Sequence, residues 1–304
     1  MSSSHSRSNL SGTLLVLLSM FGFSAKSIFA KLAYQQHCDA LTLVFWRMLL
    51  SLPFFLIAIG FSLRHDKNSA MNRQDWLHVV LLGVAGYYLS SILDFEGLMF
   101  ISASLERLTL FLYPTLVVLL DWYFNKRPLQ RTTIIALILS YAGISLVVLH
   151  DLAPSHALGV GLALVAGSSL SYACYLLGSQ PLIERLGSTR FTGYTLTVAS
   201  LAVMIQGFGQ IGSQVLHINQ HVFLLGLATA LFSTVMPVFL LTAGIARIGS
   251  QRSALIGSAG PVATMFLGLW ILKEPITSWQ ILGAVLVIAG VLLVGQSAKD
   301  VGKS

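Results

Sequence analysis

Residues 105–120 read LERLTLFLYPTLVVLL, and residues 257–277 read GSAGPVATMFLGLWILKEPIT. Each is an apolar stretch with a proline near the middle of its hydrophobic run, Pro114 in one and Pro261 in the other. Laid on itself at an offset of 147 residues, the chain brings these prolines together without a gap. The same offset carries Gly97 onto Gly244, Lys126 onto Lys273, Pro128 onto Pro275 and Ala142-Gly143 onto Ala289-Gly290. Near the start of each half, Gly12 falls on Gly159 and Ser24 on Ser171. Matches at one constant offset across most of each half mark an internal repeat.

Composition says where such a repeat can live. Hydrophobic residues make up 55% of the 304, charged residues only 10%, and the mean hydropathy is +0.80. Soluble domains carry about 25% charged residues, so a soluble multidomain enzyme is excluded, as is a disordered chain. A bilayer core about 30 Å thick needs roughly 20 apolar residues per helix. Ten segments qualify, at about 10–32, 41–63, 76–98, 103–124, 132–150, 158–178, 191–211, 221–242, 250–272 and 278–296. The expected fold is therefore an all-α membrane protein of two five-helix repeats, residues 10–150 and 158–297. Five crossings is an odd number, so the halves enter the membrane from opposite sides. Such inverted repeats are an architecture of secondary transporters, with the site near the midplane between the halves.

Basic residues set the orientation. With the N-terminus inside, 13 of the 18 Lys and Arg fall in inner segments, among them Lys67, Arg127, Arg131, Arg185, Arg190 and Lys303. The outer segments hold Lys31, Arg107 and Lys273, and Lys26 and Arg47 lie within spans. Both termini are expected in the cytoplasm. This bias accounts for the formal charge of +7 without a nucleic-acid partner, since no basic block with interleaved aromatics occurs. Cys38 and Cys174 form no metal or disulfide pattern, and the eight histidines show no metal spacing. No cofactor is expected: there is no Walker motif, dinucleotide glycine pattern or nucleophile elbow.

Charge inside a bilayer is expensive and is by default paired or beside a wet cavity. Lys26 and Arg47 are the candidates for lining a substrate cavity, against snorkelling to the outer headgroups. Asp94 and Glu96 close the third span, and Glu106 and Arg107 open the fourth. These six charges gather in the outer half of one repeat, while their counterparts at the offset, Ala173, Tyr194, Leu241, Ala243, Ser253 and Ala254, are all uncharged. A scaffold shared by both repeats does not require such a cluster. Two readings remain open: an ion-pair network tying an outer gate, or carboxylates that bind a substrate cation or a coupling proton. Pro114 and Pro261 each remove a donor and free the carbonyl four residues earlier, Leu110 and Gly257. Polar backbone at membrane depth is tolerated only against protein or a wet cavity, so both prolines and the adjacent Tyr113 are candidates for the central site. Tyr87, Tyr88, Tyr172, Tyr175 and Tyr194 add hydroxyls whose placement periodicity does not decide. Small residues at four-residue spacing, Gly159, Ala163, Gly167 and Ser171 in the sixth helix and Gly260, Thr264 and Gly268 in the ninth, read as packing seams.

SMFGFSAKSIFAKLAY in the first helix, FWRMLLSLPFF in the second, and the two stretches quoted above resemble the drug/metabolite transporter superfamily, specifically the bacterial EamA-type ten-helix permeases. The resemblance covers nearly the whole chain as two EamA units, and its more specific parts are the two helix prolines and Glu274-Pro275. The first half departs from the pattern, with Asn125-Lys126-Arg127-Pro128 where the family usually has an acidic residue. The resemblance implies a bacterial inner-membrane permease that moves small metabolites, often amino acids or related solutes, without ATP. The expected partners are a small-molecule metabolite, the lipid bilayer and, if transport is coupled to them, protons. The other classes considered are an intramembrane lipid-modifying enzyme and a lipid flippase or channel. The enzyme would need a catalytic constellation, and the cluster holds no His or Cys nucleophile pair.

Overall fold

Hydrocarbon offers backbone N–H and C=O groups no partners, so a spanning chain closes its own hydrogen bonds along helices. The computed structural model describes residues 2–65, 71–126, 131–151, 156–257 and 260–301. Lys67, Arg127, Pro128 and Lys303 lie outside them. The described residues form helices and turns, with no strand among them. Seven helices are long and apolar enough to cross a membrane: α1 (Ser11–Gln35), α2 (Ala40–Arg64), α3 (Arg73–Leu98), α4 (Ala103–Phe124), α6 (His156–Leu186), α7 (Ser188–Gln210) and α8 (Gln220–Ile245). Three shorter apolar helices, α5 (Ile134–His150), α9 (Gly260–Leu272) and α10 (Ser278–Leu293), complete the ten. Large apolar side chains such as Phe61, Trp270, Ile205 and Leu149 are exposed on the outside, as a lipid-facing surface requires. The protein is an integral, multi-pass membrane protein.

The two repeats pack as a two-fold pair. α1 of the first half lies against α8 of the second, and α6 of the second lies against α3 of the first. α2 meets its counterpart α7, and α5 meets α10. At the α5–α10 crossing a Cβ on Gly143 would stand 2.7 Å from the Gly283 carbonyl oxygen, and one on Gly290 would stand 2.6 Å from that of Ala136. Gly143 and Gly290 are partners at the offset of 147, as are Ala136 and Gly283, so the contact maps onto itself when the halves are exchanged. Backbone approach this close is what glycine permits between membrane helices.

The first helix of each repeat keeps a different register. A Cβ on Gly97 would meet the Gly161 carbonyl and Val165, and one on Gly244 would meet Val16 and the Gly12 carbonyl. Ser168 Oγ donates to the Ser90 carbonyl at 2.8 Å, and Ser19 Oγ donates to the Pro237 carbonyl at 2.9 Å. Gly12, Val16 and Ser19 thus answer Gly161, Val165 and Ser168, two residues on from the pairing of Gly12 with Gly159. The α6 seam shifts with it: Gly159 faces open space, while Gly161 packs on Phe100 and Ile101. The small residues of α9 do pack, Gly260 against Arg107 and Phe111 and Gly268 near Glu274.

Two backbone details recur at the offset. Lys126 and Lys273 both take left-handed conformations, with φ of 52° and 59°, and end α4 and the π turn of α9 as C-caps. Pro275 follows two residues later, where a proline stops a helix. One π-helical turn interrupts α3 at Val84–Leu89 and another interrupts α8 at Leu231–Val235, positions that coincide on the repeat. Pro114 does not sit inside an unbroken helix: α4 breaks at Phe111–Leu112 and restarts at Tyr113, with Pro114 in its first turn. A proline in a first helical turn costs no hydrogen bond. The eighth helix continues without interruption over Met236–Gly257, so the connection expected at about 243–249 is itself helical.

Close approach at α5–α10 sets a stability test. Gly283→Val would drive a side chain into Val147 and the Gly143 carbonyl and is expected to cost about 1–3 kcal/mol by overpacking. Gly60→Ala, which meets nothing within 4 Å, serves as the control. Melting of the purified variants in detergent checks both.

Candidate functional site

Lys26 is the centre of a buried network among α1, α3 and α4 of the first repeat. It stands nine residues before Gln35, the end of α1, or about 13 Å along the axis at 1.5 Å per residue. Its ammonium pairs with Asp94 of α3 and, at 3.0 Å, with Glu106 Oε1 of α4. Ser27 Oγ donates to Glu106 Oε2 at 2.6 Å, and Glu106 has no solvent exposure. Two carboxylates therefore share one ammonium, and the sharing ties three helices together. A buried pair of this kind holds when both partners are satisfied and is costly to break by removing one.

Arg47 of α2 flanks the network. Its Nη2 donates to Ser91 Oγ at 2.7 Å, and its guanidinium lies 4.8 Å from the centre of the Phe95 ring. Lys26 approaches the same ring at 5.6 Å. Phe95 is thus walled by two cations, an arrangement worth about 2 kcal/mol or more when desolvated. Tyr34 Oη donates to the Phe95 carbonyl at 2.8 Å, which fixes the ring's helix against α1. Glu96, next in sequence, does not join: it is half-buried near Asp39.

Arg107, one residue after Glu106, turns toward the second repeat. Its guanidinium stacks over Phe111 at 5.4 Å, and its Nη2 lies 3.0 Å from where a Cβ on Gly260 would stand. Glycine at 260 leaves the guanidinium its place at the junction of the halves. Below it, Tyr113, Tyr172, Tyr175 and Tyr87 form a continuous aromatic cluster from α3, α4 and α6. Ring centres are 5.3 Å apart for Tyr113–Tyr172, 5.7 Å for Tyr172–Tyr175 and 5.0 Å for Tyr87–Tyr175. Tyr88 and Tyr194 lie elsewhere, the first against the outer core and the second against Trp76. The Leu110 carbonyl, freed by Pro114, accepts from Ser169 Oγ of α6 at 3.2 Å. Ser24 Oγ of α1 donates to the Gly260 carbonyl beside Pro261 at 3.1 Å. A carbonyl near each of the two prolines therefore accepts from a serine of the opposite repeat. Glu274 also crosses it, with Oε1 accepting from the Ala103 N–H at 3.3 Å at the start of α4.

Of the residues singled out in the sequence, Lys26, Asp94 and Glu106 come into direct contact and Arg47 packs beside them. Arg107, Tyr113, Pro114 and Pro261 stand at the junction of the repeats. Ser27, Ser91 and Phe95 complete the network and carry no sequence signal of their own, being a serine or phenylalanine among many. No group of three or more His, Cys, Asp and Glu that could hold a metal ion occurs among the described residues.

Comparison with known proteins agrees with this architecture. The model of the EamA-like transporter family matches twice, over residues 10–149 and 159–296. A Bacillus subtilis (strain 168) protein named uncharacterized transporter YcbK is 30% identical over 284 residues, covering 91% of this chain and 90% of its own length. An uncharacterized transporter of Archaeoglobus fulgidus is 25% identical over 262 residues, 84% of this chain and 86% of its own. A crystal structure superposes with a TM-score of 0.65 at 15% identity, covering 96% of this chain and 98% of its own, which speaks to the fold alone. These relatives indicate a membrane transporter rather than an enzyme, with a small-molecule substrate and the bilayer as its surroundings.

The hydrogen bond from Ser27 to Glu106 can be tested by itself. Ser27→Ala leaves a fully buried carboxylate oxygen without its donor and is expected to cost about 1–3 kcal/mol. Ser27→Thr, which keeps the hydroxyl, is expected to recover most of it. Thermal unfolding in detergent reads the difference.

Proposed function

Because the chain belongs to the EamA-like transporter family, we propose that it is a secondary active permease or exporter of the bacterial inner membrane, with both termini in the cytoplasm. In this reading it moves a small polar metabolite, such as an amino acid or a related solute, by alternating access between repeats 10–150 and 158–297. The observation that carries the proposal is the sharing of Lys26 between Asp94 and Glu106 on the outer side. With one cation for two carboxylates, a proton arriving at either carboxylate weakens its hold on Lys26 and loosens α1 from α3 and α4. That step gives the outer gate a chemical trigger. Coupling to protons follows from it, and exchange of one solute for another uses the same gate.

The two-fold packing supplies the moving parts. Glycine-lined contacts at α5–α10, α1–α8 and α3–α6 are smooth surfaces along which packed helices slide. π turns at equivalent places in α3 and α8 are sites where a helix bends without losing its hydrogen bonding to neighbours. Ser171 Oγ donates to the Ala85 carbonyl at 2.7 Å in the first, and Thr234 Oγ1 donates to the Thr229 carbonyl at 3.0 Å at the second.

Reconstituted protein tests the proposal. Lys26→Ala is expected to abolish solute flux in proteoliposomes while eluting as folded protein from size-exclusion chromatography. An inwardly or outwardly imposed pH gradient is expected to change the wild-type flux. Wild-type flux in Lys26→Ala would sink the gating role, and flux indifferent to the gradient would remove proton coupling.

A further inference from the structure

The buried charges at the outer half of the first repeat do not cancel. Lys26, Arg47 and Arg107 are 8%, 6% and 7% exposed, and Asp94 and Glu106 are 4% and 0% exposed. Three cations face two carboxylates. Lys26 is taken by both carboxylates, and Arg47 has Ser91, Phe95 and the attraction of Asp94. Glu106 has its two oxygens occupied by Lys26 and Ser27 and attracts Arg107 only at longer range. Nearer the surface, Lys31 and Glu274 attract each other, and Glu96 and Asp39, neither of them buried, lie near each other, so the imbalance is that of the buried groups. Among the described residues Arg107 has no hydrogen-bond or ion-pair partner, and its buried Nε is unsatisfied. A guanidinium cannot shed its charge as a lysine can.

We infer that Arg107 is the receptor for the anionic group of the substrate, and that the transported solute belongs to the organic oxyanions, bearing a carboxylate or a phosphate. The inference rests on the transporter reading above. An arginine fork meets either group through two parallel N–H bonds, and an incoming negative charge removes the local imbalance that the membrane makes costly. The surroundings fit that task. Phe111 holds the guanidinium from one face, Gly260 leaves it side-chain room from the other repeat, and Tyr113 and Tyr172 lie within its field. Arg107 also sits between the halves, where a ligand touches both. The aromatic cluster beside it offers the non-ionic part of the solute flat apolar walls and phenolic hydroxyls. Lys26, saturated by Asp94 and Glu106, is left to the gate, and recognition falls to Arg107.

Membrane vesicles from cells producing the wild type, Arg107→Gln or Arg107→Lys, each loaded with a bacterial metabolite extract, read the assignment by mass spectrometry of solutes lost and retained. Solutes whose flux falls more than about tenfold in Arg107→Gln are expected to be carboxylates or phosphates, with partial recovery in Arg107→Lys. The identity of those solutes separates the two chemistries. A wild type that moves nothing contradicts the transporter reading. A wild type that moves only solutes without a carboxylate or phosphate, or an Arg107→Gln profile equal to that of the wild type, contradicts the role of Arg107. Melting without added solute gives a readout that needs no substrate. Removing an uncompensated charge is expected to leave the Arg107→Gln melting temperature at or above that of the wild type, and a clear fall would show that the guanidinium serves the fold instead.

Discussion

A charge inside a bilayer is costly unless it is paired, and in this chain one ammonium is held between two carboxylates. Lys26 joins α1 to α3 through Asp94 and to α4 through Glu106. The position of α1 depends on it, and α1 in turn lies against α8 and α9 of the other repeat. The halves meet through apolar contacts and single hydroxyls and through a few charged groups, among them the ion pair of Arg185 with Asp75 and the Glu274 carboxylate on the Ala103 N–H. The Lys26 network lies within the first repeat and is either made or broken. A symmetric scaffold with one asymmetric latch is the physical content of the fold.

The scaffold and the latch are built by different means. Symmetry is written in glycines, prolines and left-handed lysines, residues that act through backbone geometry and are needed wherever the same crossing recurs. Gly143 and Gly290 admit each other's helices, Lys126 and Lys273 turn the chain at equivalent corners, and π turns interrupt α3 and α8 at the same place. Function is written in the departures. On the α1 register the counterpart of Lys26 is Tyr175, which packs into the aromatic cluster, and the counterparts of Asp94 and Glu106 are Leu241 and Ser253. The second repeat thus lends surfaces, a glycine at 260 and the Glu274 cap on α4, and the first carries the charge.

Much of this was legible in the sequence because backbone-determined residues are rare enough to align. Ten apolar runs, a constant offset and a charge cluster confined to one half lead to the architecture and to Lys26, Asp94 and Glu106 without coordinates. The α1–α6 register was not legible: Gly12 has a glycine at both 159 and 161, and only the contact with Gly244 or Gly97 chooses between them. The π turns were equally hidden, since VAGYYL and LFSTV share no side-chain pattern and a π turn is set by how neighbours pack. Ser27, Ser91 and Ser169 are common residue types, given meaning only by the carboxylate, guanidinium and carbonyl they reach. The sequence puts Arg107 in one charge cluster with Glu106 but does not say where each side chain points. Consecutive helix positions point about 100° apart, and the two side chains meet different neighbours.

The central claim is that the Lys26 network keeps the C-terminal end of α1 against the α3–α4 turn. Spin labels at Gln36 and Met99, both exposed, in a background lacking the two free cysteines Cys38 and Cys174, measure that separation in nanodiscs by pulsed electron resonance. A single short distance is expected in the otherwise native protein, joined by a longer population once Lys26 is replaced by alanine. One unchanged distance distribution in both proteins would contradict the account.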